Sequence, residues 1–502
     1  MKTIAIDYGT SNCAVSYVNG GEPTLVELEP GSGLLPSVLW VPRSPVRHID
    51  IADSEVAKAV AALRQEQIEL RDKQLAEAHL RGSAIAPAGL AQWSEASIQK
   101  AAWNRVRRDA IQEAVQDDKA EDLSASLIRS SEILLGTEAL HMHMDDPSVG
   151  YLIKSPKNFL AVELHPEQIE FFVAITAVFL RYLKTSAEKA LGAQAELVVL
   201  GRPVKYHGAG TYEPGALDIM RRAAIEAGIK DFVFEFEPIA AAVAYEHQLV
   251  TDKTVLVLDA GGGTTDCTLM RLGPGRKFQA DRTADILSTS GERLGGTDLD
   301  VSFAKEFFGP ALGIGTHFKS GLPIPKSGVL DALSITDIPA QTRFYGRPMA
   351  IELNGYLRDT ADQTPILRLI ELKEGHLSIR VNRSAELGKI GLSDEDQVTV
   401  ALDYFEHPAD ILVTRLALEH NMHHYIEKIV RLMQKACSQA TVQPDEIFMT
   451  GGTSKIPLMN RMVQEHFPGI PVISGDNFGS VAKGLAIRAE AIASVSECLQ
   501  SV

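Results

Sequence analysis

Residues 255–270 read VLVLDAGGGTTDCTLM: an aliphatic run, Asp259, three glycines, two threonines, Asp266, then a second apolar run from Cys267. Such a pattern predicts a strand, a glycine-rich turn and a returning strand. The turn offers several backbone N–H groups with no side chain over them. That suits a phosphate, because donors can close on its oxygens. Asp259 and Asp266 bracket the turn, and carboxylates beside a phosphate loop point to a bound divalent cation. One such turn is also an ordinary glycine-rich hairpin. The chain, however, opens with the same design: residues 3–18, TIAIDYGTSNCAVSYV, carry Asp7, Gly9 and Thr10 between two apolar runs. The pair predicts a two-lobed protein that clamps one nucleotide from both sides, each lobe supplying a phosphate loop.

The elements around these turns set their context. At 502 residues, a prior of about 150 residues per domain gives about three compact units. Apolar residues make up 45% and charged residues 23%, ordinary values for a soluble globular chain. A net charge of −16 argues against nonspecific nucleic-acid or anionic-membrane binding, which needs clustered basic surface. Cys13, Cys267, Cys437 and Cys498 show no metal spacing and no paired framework, so they fit a reducing compartment. Lys2 is followed directly by strand-like TIAID, not by a continuous apolar segment. The most apolar long stretch, Ile169 to Leu183, contains Arg181 and is too short for a membrane span, so a buried helix is expected. These readings predict a cytoplasmic protein.

Residues 53–146 differ in texture. DSEVAKAVAALRQEQIELRDKQLAEAHL is rich in strong helix formers, with a loose apolar stripe at Val56, Val60, Leu63, Ile68, Leu70 and Leu75. After a break at Gly82–Gly89, Ser94 to Glu113 reads as helix again, and Arg105, Arg107 and Arg108 form a basic cluster, read first as a solvated helix face and second as a partner patch. HMHMDD (141–146) reads as a solvated loop. From 163 onward helices and strands alternate, which predicts a mixed or parallel sheet covered on its faces. HPEQIEFFVAITAVFLRYLKTSAEKALG is a long helix with Gly192 as its C-cap, and IAAAVAYEH is another. Residues 300–410 read as short strands with Gly/Pro-rich turns, and the stretch from 411 through Gln439 as helix. EIFMTGG is a strand, and a final α/β unit closes near Ala486.

Four more segments complete a constellation: FEPIAAAVAY (236–245), LGGTDLD (294–300), ELGKIGLS (386–393) and TGGTSKIP (450–457). With AIDYGTSN and LDAGGGTTD, their order and spacing resemble the DnaK-type, seventy-kilodalton heat-shock chaperones of the actin-like ATPase superfamily. The resemblance runs from residue 3 to about 488. It implies an α/β fold with two ribonuclease-H-like lobes, residues 1–248 and 249–502. The first would carry a helical insertion over about 53–146, the second a subdomain over about 294–410. It also implies ATP/ADP and Mg²⁺ as ligands, with slow ATP hydrolysis acting as a conformational switch.

The same resemblance assigns positions. Asp7, Asp259 and Asp266 would surround Mg²⁺, mostly through water. Gly9, Thr10, Ser11, Asn12, Gly261, Gly262, Gly263, Thr264 and Thr265 would lie against the phosphates, with Thr264 also counted among the catalytic groups. Glu237 would order the metal's water shell or the attacking water, since a carboxylate only accepts hydrogen bonds. Lys154 in YLIKSPKNF best matches the family's lysine near the γ-phosphate, with Lys157 as the fallback. Glu386, Lys389 and Ser393, at i, i+3 and i+7, would hold the ribose and adenine edge, a spacing that any exposed helix also shows. Gly295, Gly296, Gly451, Gly452, Thr453 and Lys455 would complete the nucleotide pocket.

Departures from the pattern stand out. Phe478 takes the place of an aspartate, and Ile390 and Lys455 replace arginines that stack on adenine, so weaker base selectivity is expected. The chain stops at Val502, without the apolar linker and peptide-binding β-sandwich of the full-length family, and the expectation is a free-standing ATPase module. A client protein or cochaperone is a candidate partner; nucleic acid and membrane are not. A small-molecule kinase and a filament-forming actin relative are the alternatives in the same superfamily. EPIAAAVAY and LGGTDLD favour the chaperone branch.

Overall fold

The structure is a computed structural model. It describes residues 1–29, 31–42, 52–80, 98, 99, 102, 106, 133–145, 147, 150–160, 163–204, 213–277, 279, 281–475 and 479–500. The chain forms two compact units, one of Met1–Leu39, Leu135–Thr137 and Ile153–Val502, the other of Trp40–Leu134 and Glu138–Leu152.

The larger unit opens with β1 (Thr3–Tyr8), β2 (Asn12–Asn19), β3 (Glu22–Leu25) and β4 (Leu34–Pro36). The interior of β1 is buried, as expected of a central strand covered on both faces. The smaller unit contains parts of β5 (Val38–Pro42), β6 (Leu134–Leu135) and β7 (Gly150–Lys154), which form a sheet in the order β6-β5-β7. It also contains α1 (Asp53–Leu80) and most of α2 (Gly136–Asp145). Leu63, Ile98 and Ala102 make a small core there, confirming helix at the start of the 53–146 block. Gly150 lies flat against the Trp40 ring, where a β-carbon would collide. Helix α2 corrects the loop expected at 141–145: Glu29 accepts hydrogen bonds from the Thr137 backbone N–H and hydroxyl, each at 2.6 Å, and caps the helix start. His143 is buried on it. The break at 82–89, most of the second helix at 94–113 and the Arg105, Arg107, Arg108 cluster lie outside the described residues.

The larger unit continues with α3 (Pro166–Leu191), β8 (Leu197–Arg202), α4 (Glu213–Glu226), β9 (Phe232–Phe236) and α5 (Glu237–Glu246). Helix α3 has Pro166 in its first turn, Gln168 reaching back to the His165 N–H, and Gly192 in the left-handed region at its end. Its buried face includes Phe172, Ile175, Phe179 and Leu183, as the apolar stretch predicted. The first sheet has the order β3-β2-β1-β8-β9, with β4 paired to β2; β1–β2–β3 run antiparallel and β1–β8–β9 parallel.

The second half repeats this plan. It contains β10 (Lys253–Ala260), β11 (Thr265–Leu272) and β12 (Ile286–Glu292), then a helical region of α6 (Gly296–Phe303), α7 (Ser327–Leu333), α8 (Ile338–Tyr345), α9 (Arg347–Asp359), α10 (Thr364–Glu374) and α11 (Ser378–Asp394). The hairpin of β13 (Gln397–Leu402) and β14 (Ala409–Thr414) leads into α12 (Arg415–Ala440), β15 (Glu446–Thr450), α13 (Pro457–His466), β16 (Val472–Ser474) and α14 (Ser480–Gln500). The second sheet runs β12-β11-β10-β15-β16, again three antiparallel strands followed by two parallel ones. Helix α12, like α3, is 26 residues long and precedes the first parallel partner of the hairpin strand.

Two expectations change here. Residues 327–394 are mainly helical, because the prolines at 339, 348 and 365 sit in first turns, where a missing N–H costs nothing, and do not break strands. Residues 411–414 belong to β14, whose Ile411 and Val413 pair with Val400 and Val398; the helix begins only after Thr414, whose hydroxyl accepts from the Ala417 N–H. The last helix also runs past Ala486 to Gln500.

Candidate nucleotide site

Both predicted turns close their hairpins. Asp7 lies opposite Ala14 in the β1–β2 register and Asp259 opposite Asp266 in β10–β11. The first turn is tight: a β-carbon on Gly9 would overlap the Asn12 carbonyl. Ser37 braces it from behind, donating to the Gly9 carbonyl at 2.7 Å and to the Ser11 carbonyl through its own N–H at 2.8 Å. The second turn is closed by Gly261 N–H donating to Thr264 O at 3.0 Å, and Thr264 is half-buried.

The two turns touch each other. A β-carbon on Gly262 would collide with Ser11 Oγ, and one on Gly263 with Thr10 Cγ2. Glycine at both positions therefore lets Thr10 and Ser11 approach the opposite backbone.

Around this contact stand Asp7, Glu237, Asp259 and Asp266. Burial pushes Asp7 up to about 7, the Glu237 charge adds to the rise, and Lys157 opposes it. Asp259 is pushed up to about 7 as well, by burial first and then by Asp266, Glu237 and Asp7. Glu237 opens α5, next to Pro238, and takes an ion pair from Lys157 at 2.7 Å. The cluster is thus rich in acid and poor in base, a donor set that suits a divalent cation. No three acidic, histidine or cysteine side chains converge as direct metal ligands among the described residues. Carboxylates spaced in this way are compatible with a divalent cation bound through water, the usual habit of Mg²⁺.

The lysine near the acids is Lys157, not Lys154. Strand β7 ends at Lys154; Ser155 then adopts a left-handed backbone (φ 55°), its N–H donating to Ser37 O at 2.8 Å, before Pro156 starts a short 3₁₀ turn. That reversal aims Lys157 at Glu237. Lys154 instead exerts its field on Asp300 and Glu386. The Ser-Pro dipeptide was the available signal: it ends a strand, so lysines on either side of it face different places.

LGGTDLD and TGGTSKIP act on the second turn from outside. Gly296 N–H donates to Gly261 O at 3.0 Å and Thr297 N–H to Gly262 O at 2.7 Å, while Gly295 packs flat on the Gly262–Gly263 peptide. Thr453 Oγ1 donates to Gly261 O at 3.0 Å. Gly451 holds φ 85° over the Ala260 carbonyl, with Gly452 exposed after it and Lys455 exposed at the end of the following turn. Thr265 is fully buried and donates to Leu294 O at 2.7 Å, so it braces the turn and presents no hydroxyl to a ligand.

ELGKIGLS lies on α11 as expected. Lys389 Nζ stands 2.6 Å from Asp300 Oδ1 and 3.2 Å from Gly296 O, which ties α11 to the start of α6. Glu386 pairs with Arg383 at 2.7 Å; burial would raise its carboxyl, but Lys154, Arg383 and Lys389 outweigh that and lower it. Ser393 is half-buried and Ile390 is exposed, while Phe478 lies outside the described residues. Cys13 and Cys267 are both buried free thiols. Cys13 bonds Ser37 Oγ at 3.2 Å, and burial pushes its thiol up to about 12. Burial pushes the Cys267 thiol well up, and the neighbouring Asp266 and Cys437 add to the rise.

A family model described as "Hsp70 protein" matches residues 124–310 and 333–499, well over half of the chain. The chain belongs to that family, and its fold is the two-lobed actin-like ATPase fold. A "Chaperone protein HscA homolog" of Vibrio vulnificus (strain YJ016) is 26% identical over 392 residues, covering 76% of this chain and 52% of that protein. The "Heat shock 70 kDa protein 7, chloroplastic" of Arabidopsis thaliana is 23% identical over 501 residues, 97% of this chain and 52% of that protein. The "Stromal 70 kDa heat shock-related protein, chloroplastic" of Pisum sativum is 22% identical over 505 residues, covering 98% and 53%. The chain spans about half the length of these curated relatives. No helix among the described residues is long and apolar enough to cross a membrane.

Proposed function

We propose that this chain binds ATP between its two phosphate turns and hydrolyses it slowly, as the conformational switch of a chaperone-type ATPase. The contact of Thr10 and Ser11 with Gly263 and Gly262 carries this reading, because it brings two predicted phosphate turns to one place. Backbone N–H groups of both turns would hold the phosphates, with Thr264 beside them. Mg²⁺, held through water by Asp7, Asp259 and Asp266, would supply charge neutralisation on the phosphate oxygens. Lys157 holds Glu237 in place, and Glu237 would orient the attacking water and take its proton. The water oxygen bonds to the γ-phosphorus, the bond to the β–γ bridging oxygen breaks, and ADP leaves. Positioning and fixed donors carry such a reaction, since it needs little covalent help.

In this reading residues 1–248 and 249–502 are the two lobes, with the 53–146 segment as an insertion and 294–410 as a subdomain. Glu386, Lys389, Ser393, Gly451, Gly452 and Lys455 would border the nucleoside. The names of the relatives support a client protein or cochaperone as partner. Buried free thiols suit the reducing cytoplasm.

Single-turnover hydrolysis with Mg²⁺ tests the assignment. Asp7→Asn, Thr264→Ala and Lys157→Ala are each expected to slow it by about a hundredfold or more, while Lys154→Ala stays within about threefold of native. Equal losses for the two lysines would refute the Lys157 assignment, and native protein that binds ATP without cleaving it would refute the ATPase.

A further inference from the structure

On one side of the second turn lies a cavity of about 410 Å³, whose wall includes Gly263, Asn158, Phe159 and Arg293. Arg293, the residue before LGGTDLD, holds its guanidinium over the Phe159 ring at 5.6 Å. It makes no hydrogen bond or ion pair with any described residue. Two carboxylates share the cavity, and each is engaged in starting a helix. Asp298 Oδ2 accepts from the Gly295 N–H at 2.8 Å, and Asp337 Oδ1 from the Ala340 N–H at 3.0 Å. Asn158 Oδ1 is buried without a hydrogen-bond partner, and this side chain lies against Gly263. The other cation near the turns, Lys157, is committed to Glu237. The field of Arg293 reaches Asp298, but no carboxylate among the described residues pairs with it. A half-buried guanidinium without a hydrogen-bonded anion, stacked on a ring beside the second glycine turn, is poised for an anion that arrives with a ligand.

We propose that Arg293 is a catalytic residue that contacts the terminal phosphoryl group of ATP, with the Asn158 amide beside it, and stabilises the charge spread over its oxygens during transfer. The proposal rests on the nucleotide reading above and adds a group that reading does not contain. An arginine supplied within the same chain does this work in other phosphoryl-transfer enzymes, because its planar fork meets two oxygens at once.

The test compares native protein with R293A and R293K, in single-turnover hydrolysis at saturating ATP and in equilibrium titration of ATP. R293A is expected to slow hydrolysis by about a hundred- to thousandfold with ATP affinity within about threefold of native. Low concentrations of free guanidinium should restore part of the R293A rate and leave Asp7→Asn unchanged. R293K, which keeps the charge and loses the fork, should fall between the two and guards against an R293A that misfolds. An R293A rate within about threefold of native overturns the proposal. So does a joint loss of rate and affinity in both variants that guanidinium does not rescue, which marks a structural role. Native protein that binds no ATP would sink the nucleotide reading before any variant is made, so the two failures are distinguishable.

Discussion

Asp7 and Asp259 carry the strongest consequence at the scale of single residues. Their folded values, raised to about 7, lie well above the ordinary carboxylate value of 3.8. Below about 4 both native and unfolded chains hold these protons, and the groups contribute nothing to pH dependence. As pH rises toward 7, the unfolded chain releases protons that the native one retains, so the nucleotide-free protein loses stability; above 7 the loss is complete. Asp7→Asn should therefore raise the melting temperature at pH 8 and leave it nearly unchanged at pH 4, measured by thermal unfolding without nucleotide. An equal shift at both pH values would show that the stabilisation does not come from charge. The aspartates and glycine turns were legible in the sequence because strand, turn and returning strand are neighbours along the chain. Lys157 was harder, since what selects it over Lys154 is the backbone reversal at Ser155. Arg293 gave no local signal at all: it becomes visible only when Phe159 and Gly263 are seen beside it.

Among the elements, the two sheets share one plan, three antiparallel strands and then two parallel ones, with 26-residue helices α3 and α12 at matching places. Each half has a further helix that packs beyond its own sheet. Helix α5 follows the first sheet and contacts β10 and β11, while α14 follows the second and contacts β1, β2 and β8. These two helices cross at Gly484, where a β-carbon would overlap the Ala240 carbonyl. Backbone cannot move aside as a side-chain tip can, so Gly484→Val should cost about 1–3 kcal/mol of stability. The denaturation midpoint checks this, and an unchanged midpoint would mean that the crossing is looser than the backbone indicates. At the far end of α5, Glu246 takes two hydrogen bonds from buried Arg282, both at 2.9 Å, which fixes that end to the second half. Helix α3 was readable from its Pro start and Gly stop. The region 300–410 was misread because its prolines punctuate helix starts, and β14 because its neighbour β13 lies across a turn.

For the whole molecule, a ligand that bridges two turns on different sheets must stabilise the folded chain as a unit. Mg²⁺ and ADP at about a hundred times their dissociation constant should add about 2.7 kcal/mol. Differential scanning calorimetry should show one raised transition with both present and a smaller rise with ADP alone. A melt that neither moves would contradict the shared site.

What the sequence by itself determined is whatever depends on near neighbours: two glycine-turn hairpins, the long helices and their caps, the helix at the start of the 53–146 segment, and six motifs in a telling order. Only the tertiary structure decided what happens between segments far apart. It put Ser11 against Gly262, chose Lys157 for Glu237, turned Thr265 inward to Leu294, tied Lys389 to Asp300 and stacked Arg293 on Phe159 beside the second glycine turn. Hydrogen bonds within a turn or cap follow from residues a few positions apart. Contacts that build a site follow from sheet order and helix crossing, which no local pattern encodes.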